Sequence, residues 1–185
     1  MSDGRTRLFV ALELPHPVRA ALAEWRVQIL EQVAGLRATA AETIHVTLCF
    51  LGWQAEEQIA AIGERCADAA ADTARMELAV GRGLWLPRRR PRVLAVEVED
   101  PSGALARLQA ALSEVLSNGG WYEPESRRFL PHVTLARTGR SVRVRPDVLA
   151  AAPQLTFEGS AVTLFRSRLS PSGARYESLR TVELS

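Results

Sequence analysis

The sequence predicts an α+β fold of two similar lobes, built largely of antiparallel sheet, with helices outside and a central cleft. Three observations lead there. Helical and strand-like segments alternate along the 185 residues, yet no Gly-rich phosphate loop follows any strand. The strands near the C-terminus come as hairpins, which argues against a doubly wound parallel sheet. The tetrapeptide His-Val-Thr-Leu occurs twice, at His45–Leu48 and His132–Leu135, eighty-seven residues apart and so near half the chain length. This duplication suggests two lobes about a pseudo-twofold axis. No Pro/Gly/Ser-rich linker divides the halves, so residues 1–185 are expected to form one domain.

Arg7 to Leu14 reads as the opening strand. Pro15 and Pro17 bracket a turn into an Ala-rich helix over Val18 to Val33, with Gly35 as its stop. Ile44 to Leu51 reads as a buried strand ending at Gly52. A helix follows over Glu56 to Ala74, where the apolar residues keep a helical period. Strands are predicted at Met76–Val80, Leu84–Leu86 and Val93–Val98. Pro101 opens a third helix to Leu116, closed by Asn118-Gly119-Gly120. The second motif strand covers Phe129 to Ala136. Pro146 to Leu149 reads as a short helix or turn. Leu155–Glu158, Ser160–Ser167 and Tyr176–Leu184 are closing strands, with a turn at Ser170–Gly173 between the last two.

Hydrophobic residues make up 47% and charged residues 24%, ordinary values for a soluble globular protein. The net charge of +2 is slight, but all 23 basic residues are arginines. Arginine forks suit phosphates, and genomic GC bias would enrich Arg and Ala equally well, so composition leaves both explanations standing. Cys49 and Cys66 follow no metal-ligand spacing and no disulfide framework. Cys49, in an apolar strand, is expected to be a buried structural thiol. With no signal peptide and no apolar run long enough to span a bilayer, a cytoplasmic protein without a membrane partner is expected.

Within a strand, residues i and i+2 share a face. In each motif His and Thr therefore face one way, and Val and Leu face a core. The duplicated motif then offers two imidazoles and two hydroxyls that can converge on one ligand. Groups titrating near neutrality beside neutral hydrogen-bond donors suit acid–base chemistry on a phosphate. Neither motif supplies a third or fourth ligand at zinc-site spacing, so no metal and no cofactor are expected. His16, between two prolines, is expected to be a solvated residue at a helix entrance.

Ile44 to Gly52 and Leu130 to Arg137 resemble the 2H phosphoesterases, whose signature is two His-x-Thr-x motifs. Within that superfamily the chain looks most like the RNA 2′,3′-cyclic phosphodiesterases, also called 2′-5′ RNA ligases. The first motif reads Thr43-Ile-His-Val-Thr-Leu-Cys-Phe-Leu-Gly52 and the second Pro131-His-Val-Thr-Leu-Ala-Arg137. The opening Arg7-Leu-Phe-Val-Ala-Leu-Glu-Leu-Pro15 and the ending from Leu164 to Tyr176 are similar to the family's as well. The resemblance implies a bilobal fold and hydrolysis of a 2′,3′-cyclic phosphate at an RNA 3′ end, tRNA halves among the substrates. It also implies ATP-independent 2′-5′ joining of RNA, and it implies nothing about a protein partner. His45 would be the proton donor and His132 the proton acceptor, an assignment that the motif symmetry alone does not make. Thr47, Thr134 and Arg137 would bind the phosphate, and Phe9 would stack on a base, the alternative being a buried residue of the opening strand.

Arg137 lies five residues after His132, an odd offset that a regular strand would send to the opposite face, so it needs a bulge or a strand end. Phe50, at the same offset from His45, is expected in the core. Arg127 and Arg128 are placed to reach RNA in the cleft. The run Arg88-Arg89-Arg90-Pro91-Arg92 reads either as an edge that follows a phosphate backbone or as a solvated loop. Two other functions keep the same residues: a phosphodiesterase for a small cyclic nucleotide or ADP-ribose cyclic phosphate, and a non-catalytic RNA- or nucleotide-binding module.

Overall fold

A computed structural model describes residues 4–139, 144, 149–170 and 173–185. Its elements in chain order are β1 (Arg5–Glu13), α1 (His16–Trp25), α2 (Val27–Gln32), β2 (Leu36–Ala38), β3 (His45–Ala55), α3 (Ile59–Ala70) and β4 (Met76–Leu86). They continue with β5 (Val93–Glu99), α4 (Ala104–Asn118), β6 (His132–Thr138), β7 (Thr156–Gly159), β8 (Ala161–Ser170) and β9 (Gly173–Glu183). The strands form one sheet in the order β7-β4-β5-β6-β3-β1-β8-β9, with β2 also on β6. The pairings between them are antiparallel throughout, so the α+β reading with antiparallel sheet holds.

The two halves of this sheet meet at a single Cα pair, Val46 on β3 with Val133 on β6. These residues hold the same place in the two motifs, and antiparallel pairing of equivalent positions is what a local twofold axis produces. The repeat extends to the neighbouring strands. Ala11 and Glu13 of β1 face Thr47 and His45. Ala95 and Glu97 of β5 face Thr134 and His132 in the same way.

The helices cross over between halves. Trp25, at the end of α1, lies so close to β4 that a Cβ on Gly83 would come within 2.9 Å of its ring. The indole Nε1 donates to the Ala151 carbonyl at 2.9 Å. Helix α4 turns Leu105, Leu108, Leu112 and Leu116 inward at three- and four-residue spacing, and all four are buried. Each contributes roughly 1.5–3 kcal/mol of transfer free energy. Helix α3 packs beside it, and its Gly63 lies against Leu164 of β8 and Arg180 of β9.

Several element boundaries differ from the sequence expectation, each for a local reason. The helix predicted over 18–33 is two, meeting at Arg26, whose guanidinium turns inward to backbone carbonyls. His16 is its first residue and is exposed, as expected. The helix predicted from Pro101 begins at Ala104, because Asp100 to Gly103 forms its capping turn. There Asp100 Oδ2 accepts from the Ala106 N–H, and Gly103 sits at φ +71. The segments at 76–80 and 84–86 are one strand with a register shift between Val80 and Gly83. The helix predicted over 56–74 is α-helical over 59–70, after a 3-10 turn at Glu56–Gln58. The first motif strand runs on to Ala55, and the second begins at His132 rather than Phe129. Strand β2 was unforeseen, being three residues with no alternation to read. The Pro146–Leu149 expectation lies outside the described residues except for Leu149, and Pro171 and Ser172 of the expected turn lie outside them too.

Candidate active site

Both motifs alternate as expected: Val46, Leu48, Val133 and Leu135 are buried, while His45, Thr47, His132 and Thr134 are half-buried. The bridge at Val46–Val133 turns the four polar side chains toward one cleft. One chamber of it, about 620 Å³, is lined by His45, Thr47, His132, Thr134 and Arg137 together. The adjoining chamber, about 570 Å³, shares Thr47, His132, Thr134 and Arg137 and extends to Tyr122, Arg127 and Arg128. Every residue expected to hold the phosphate thus lies on this cleft, and Arg127 and Arg128 stand exposed on its rim.

Each imidazole is fixed in the same way. His45 Nδ1 donates to the Thr43 carbonyl at 2.7 Å, and His132 Nδ1 donates to the Leu130 carbonyl at 2.8 Å. A carbonyl only accepts, so Nδ1 carries the proton and Nε2 is left for chemistry. His45 Nε2 lies 3.0 Å from Thr47 Oγ1.

The environments of the two histidines differ. Phe9 stacks on the His45 ring at 4.9 Å between centroids, and the Tyr176 ring meets it edge-on at 5.4 Å. Phe165 stacks on Phe9 at 5.3 Å and lies 6.3 Å from the His45 ring itself, so the three rings form one cluster. Burial pushes His45 down from 6.5 to about 4. Its bond to the Thr43 carbonyl opposes that shift, the positive charges of Arg137 and His132 add to it, and Glu13 opposes it. Phe9 itself is 3% exposed. It is the seat of the imidazole and also lines the first chamber, and its burial matches the alternative of a buried residue in the opening strand.

Bulges decide which other side chains reach the cleft. Along β6 the partners of Leu94 and Ala95 are Ala136 and Thr134, so Leu135 is an extra residue. Parity changes there, and Arg137 joins the face of His132 and Thr134, as its odd offset required. Strand β3 repeats the device: Val10 and Ala11 pair with Cys49 and Thr47, leaving Leu48 extra. Phe50 therefore turns outward, is 45% exposed and lines both chambers, contrary to the core position expected for it. The Arg7 guanidinium sits over the Phe50 ring at 4.7 Å.

Arg7, Tyr176 and Ser167 line the cleft without having been singled out in the sequence. Alternation from Phe9 could have found Arg7; Tyr176 and Ser167 needed the β8–β9 register. Arg88, Arg89, Arg90 and Arg92 are exposed on the turn between β4 and β5, and only its ends, Pro87 and Val93, line the cleft. Cys49 and Cys66 are buried free thiols, each pushed up to about 12 by burial, consistent with a structural role. Among the described residues no three of His, Cys, Asp and Glu converge on a point that could hold a metal ion. No helix among them is long and apolar enough to cross a membrane.

A model of the 2′-5′ RNA ligase superfamily matches residues 14–170, which include both motifs. A protein of Aeropyrum pernix named RNA 2′,3′-cyclic phosphodiesterase is 32% identical over 168 residues, covering 88% of this chain and 94% of that one. One of the same name from Thermus thermophilus is 34% identical over 189 residues, covering 96% and 90%. The crystal structure of E. coli LigT complexed with 3′-AMP superposes with a TM-score of 0.80 at 26% identity, over 98% and 99% of the two chains. A family match through both histidines, with relatives spanning nearly the whole length, shows that this chain belongs to the 2′-5′ RNA ligase superfamily.

Proposed function

We propose that the chain is an RNA 2′,3′-cyclic phosphodiesterase that opens the cyclic phosphate at an RNA 3′ end without a metal ion and leaves a 2′-phosphate. One observation carries this: the Val46–Val133 bridge brings two imidazoles and two hydroxyls to a single cleft. The names of the relatives support the RNA substrate, and the 3′-AMP held by E. coli LigT supports a nucleotide in the cleft. Residues 1–185 act in this reading as one bilobal domain.

The reaction needs a proton removed on one side of phosphorus and one delivered on the other. His132 Nε2 takes the proton of a water as its oxygen bonds to phosphorus in line with the ribose 3′ oxygen. The bond from phosphorus to that oxygen breaks, and the 3′ oxygen receives the proton of His45 Nε2. Thr47 and Thr134 donate to the non-bridging oxygens, and Arg137 offsets their charge. Burial favours the neutral form of His45. An anionic phosphate beside Nε2 raises its pKa, and the Phe9 ring face supports the imidazolium. The acid role is therefore assumed when substrate binds. With an RNA 5′-hydroxyl in place of water, the same exchange in the same direction bonds the 5′ oxygen to phosphorus as the 3′ oxygen leaves, and so makes a 2′-5′ bond without ATP.

Fragments such as tRNA halves carry suitable ends, and the cytoplasm is the compartment this reading implies. Length and salt dependence test the RNA assignment. A cyclic-phosphate oligonucleotide should show a lower KM than the mononucleotide, and that advantage should shrink as salt rises. Equal KM values at all salt concentrations would move the assignment to a small cyclic phosphate. Binding without turnover would leave a binding module.

A further inference from the structure

Buried arginines without a carboxylate partner are uncommon, because desolvating the charge costs more than neutral donors would to satisfy the same carbonyls. Arg26, at the junction of α1 and α2, is 8% exposed and makes no ion pair among the described residues. Its Nη1 donates to the Thr39 carbonyl and, at 3.0 Å, to the carbonyl of Leu135. Leu135 is the extra residue of the β6 bulge. Its carbonyl also accepts from the Thr39 N–H at 2.9 Å, which leaves it fully engaged outside the β5–β6 ladder.

The other half has a weaker version of the same contact. Gln109 of α4 donates its Nε2 to the carbonyl of Leu48 at 3.4 Å, and Leu48 is the extra residue of the β3 bulge. In each case the donor comes from the helix of the opposite half and reaches the backbone one residue past the motif threonine. The two bulges are what bring Arg137 and Phe50 into the cleft. We propose that Arg26 is a positioning residue: its guanidinium latches the Leu135 bulge and so aims Arg137 at the substrate phosphate, with Gln109 the corresponding latch for Phe50. This rests on the reading above in which Arg137 holds the phosphate.

A double-mutant cycle tests it, using KM for a cyclic-phosphate oligonucleotide and, independently of turnover, the affinity for inorganic phosphate. Arg26→Met should raise KM about tenfold and weaken phosphate binding by a like factor, the scale of one charge-assisted hydrogen-bonded contact. In an Arg137→Met background it should change neither by more than about twofold. Arg26→Lys, which keeps the charge and a donor, should recover part of the loss. It also replaces Arg26→Met in the cycle should that variant not fold. Equal losses with and without Arg137, or no loss in a folded variant, would overturn the proposal by showing that Arg26 only supports the fold. A wild type that binds phosphate but does not turn over RNA would refute the phosphodiesterase reading, while the phosphate arm still decides the coupling. Failure of the wild type to bind phosphate would overturn both.

Discussion

Val46 and Val133 are Cα partners in an antiparallel bridge, and each stands between the histidine and the threonine of its own motif. The bridge therefore lies at the centre of the reactive group, with one imidazole and one hydroxyl contributed from either side. Each flanking strand adds a glutamate opposite the histidine, but the two differ in their partners. Glu13 accepts from the Thr163 hydroxyl, whereas Glu97 is paired with Arg82 at 3.0 Å. Together with the aromatic seat on His45 alone, this gives chemically distinct surroundings to two residues in equivalent sequence contexts.

The low pKa of His45 makes two effects measurable. Its folded value near 4 lies below the unfolded value near 6.5, so between them the unfolded chain binds the extra proton. Stability from this group is complete above about pH 6.5 and declines as pH falls toward 4, by at most about 3 kcal/mol. Denaturant unfolding between pH 4 and 7 should show the decline, and His45→Gln should remove it. The His45 ring resonances should titrate near 4 in the free protein and at higher pH with phosphate bound. An unchanged midpoint on binding would contradict the acid role given to this residue.

Arg137→Met should raise KM by roughly tenfold or more, the cost of a lost charge-assisted contact, while leaving the unfolding midpoint nearly unchanged because the residue is exposed. Steady-state kinetics beside a thermal melt separate the two. A fall in kcat with KM unaltered would place Arg137 in transition-state stabilisation only.

Phe9→Ala should cost about 3–5 kcal/mol of stability, as truncation of a buried aromatic does, and should lower kcat by loosening His45. The ratio of kcat/KM between purine and pyrimidine ends should stay as in the wild type. A change in that ratio would show that the ring touches the base after all.

Much of this was readable in advance, and the remainder failed for identifiable reasons. Alternation placed the His-Thr face and the Val-Leu face in both motifs because a half-buried strand shows its period in four residues. The odd offset of Arg137 announced a bulge, since the residue had to reach the cleft for the family resemblance to hold. The same argument applied to Phe50, but an aromatic side chain is compatible with a core, so nothing in the sequence demanded the bulge at Leu48. Phe9 was legible as a strand residue and not as the support of His45, which depends on the register of β1 against β3. The interruption at Arg26 carries no Gly or Pro signal; it follows from tertiary contacts with Thr39 and Leu135.

The crossing of α1 onto the opposite half gives a test of the fold itself. Gly83→Ala places a Cβ 2.8 Å from a Leu149 methyl and 2.9 Å from the Trp25 ring. Overpacking of this kind costs about 1–3 kcal/mol, to be read as a lower midpoint in denaturant. A neutral substitution would mean that the helix stands further from the sheet than described.

The most direct test of the central claim is the identity of the product from an oligoribonucleotide ending in a 2′,3′-cyclic phosphate, incubated with EDTA. The account predicts a 2′-phosphate, with turnover reduced by about 10² to 10⁴ in His45→Ala and in His132→Ala, the range for loss of a general acid or base. A 3′-phosphate product, or turnover that survives both substitutions, would contradict it.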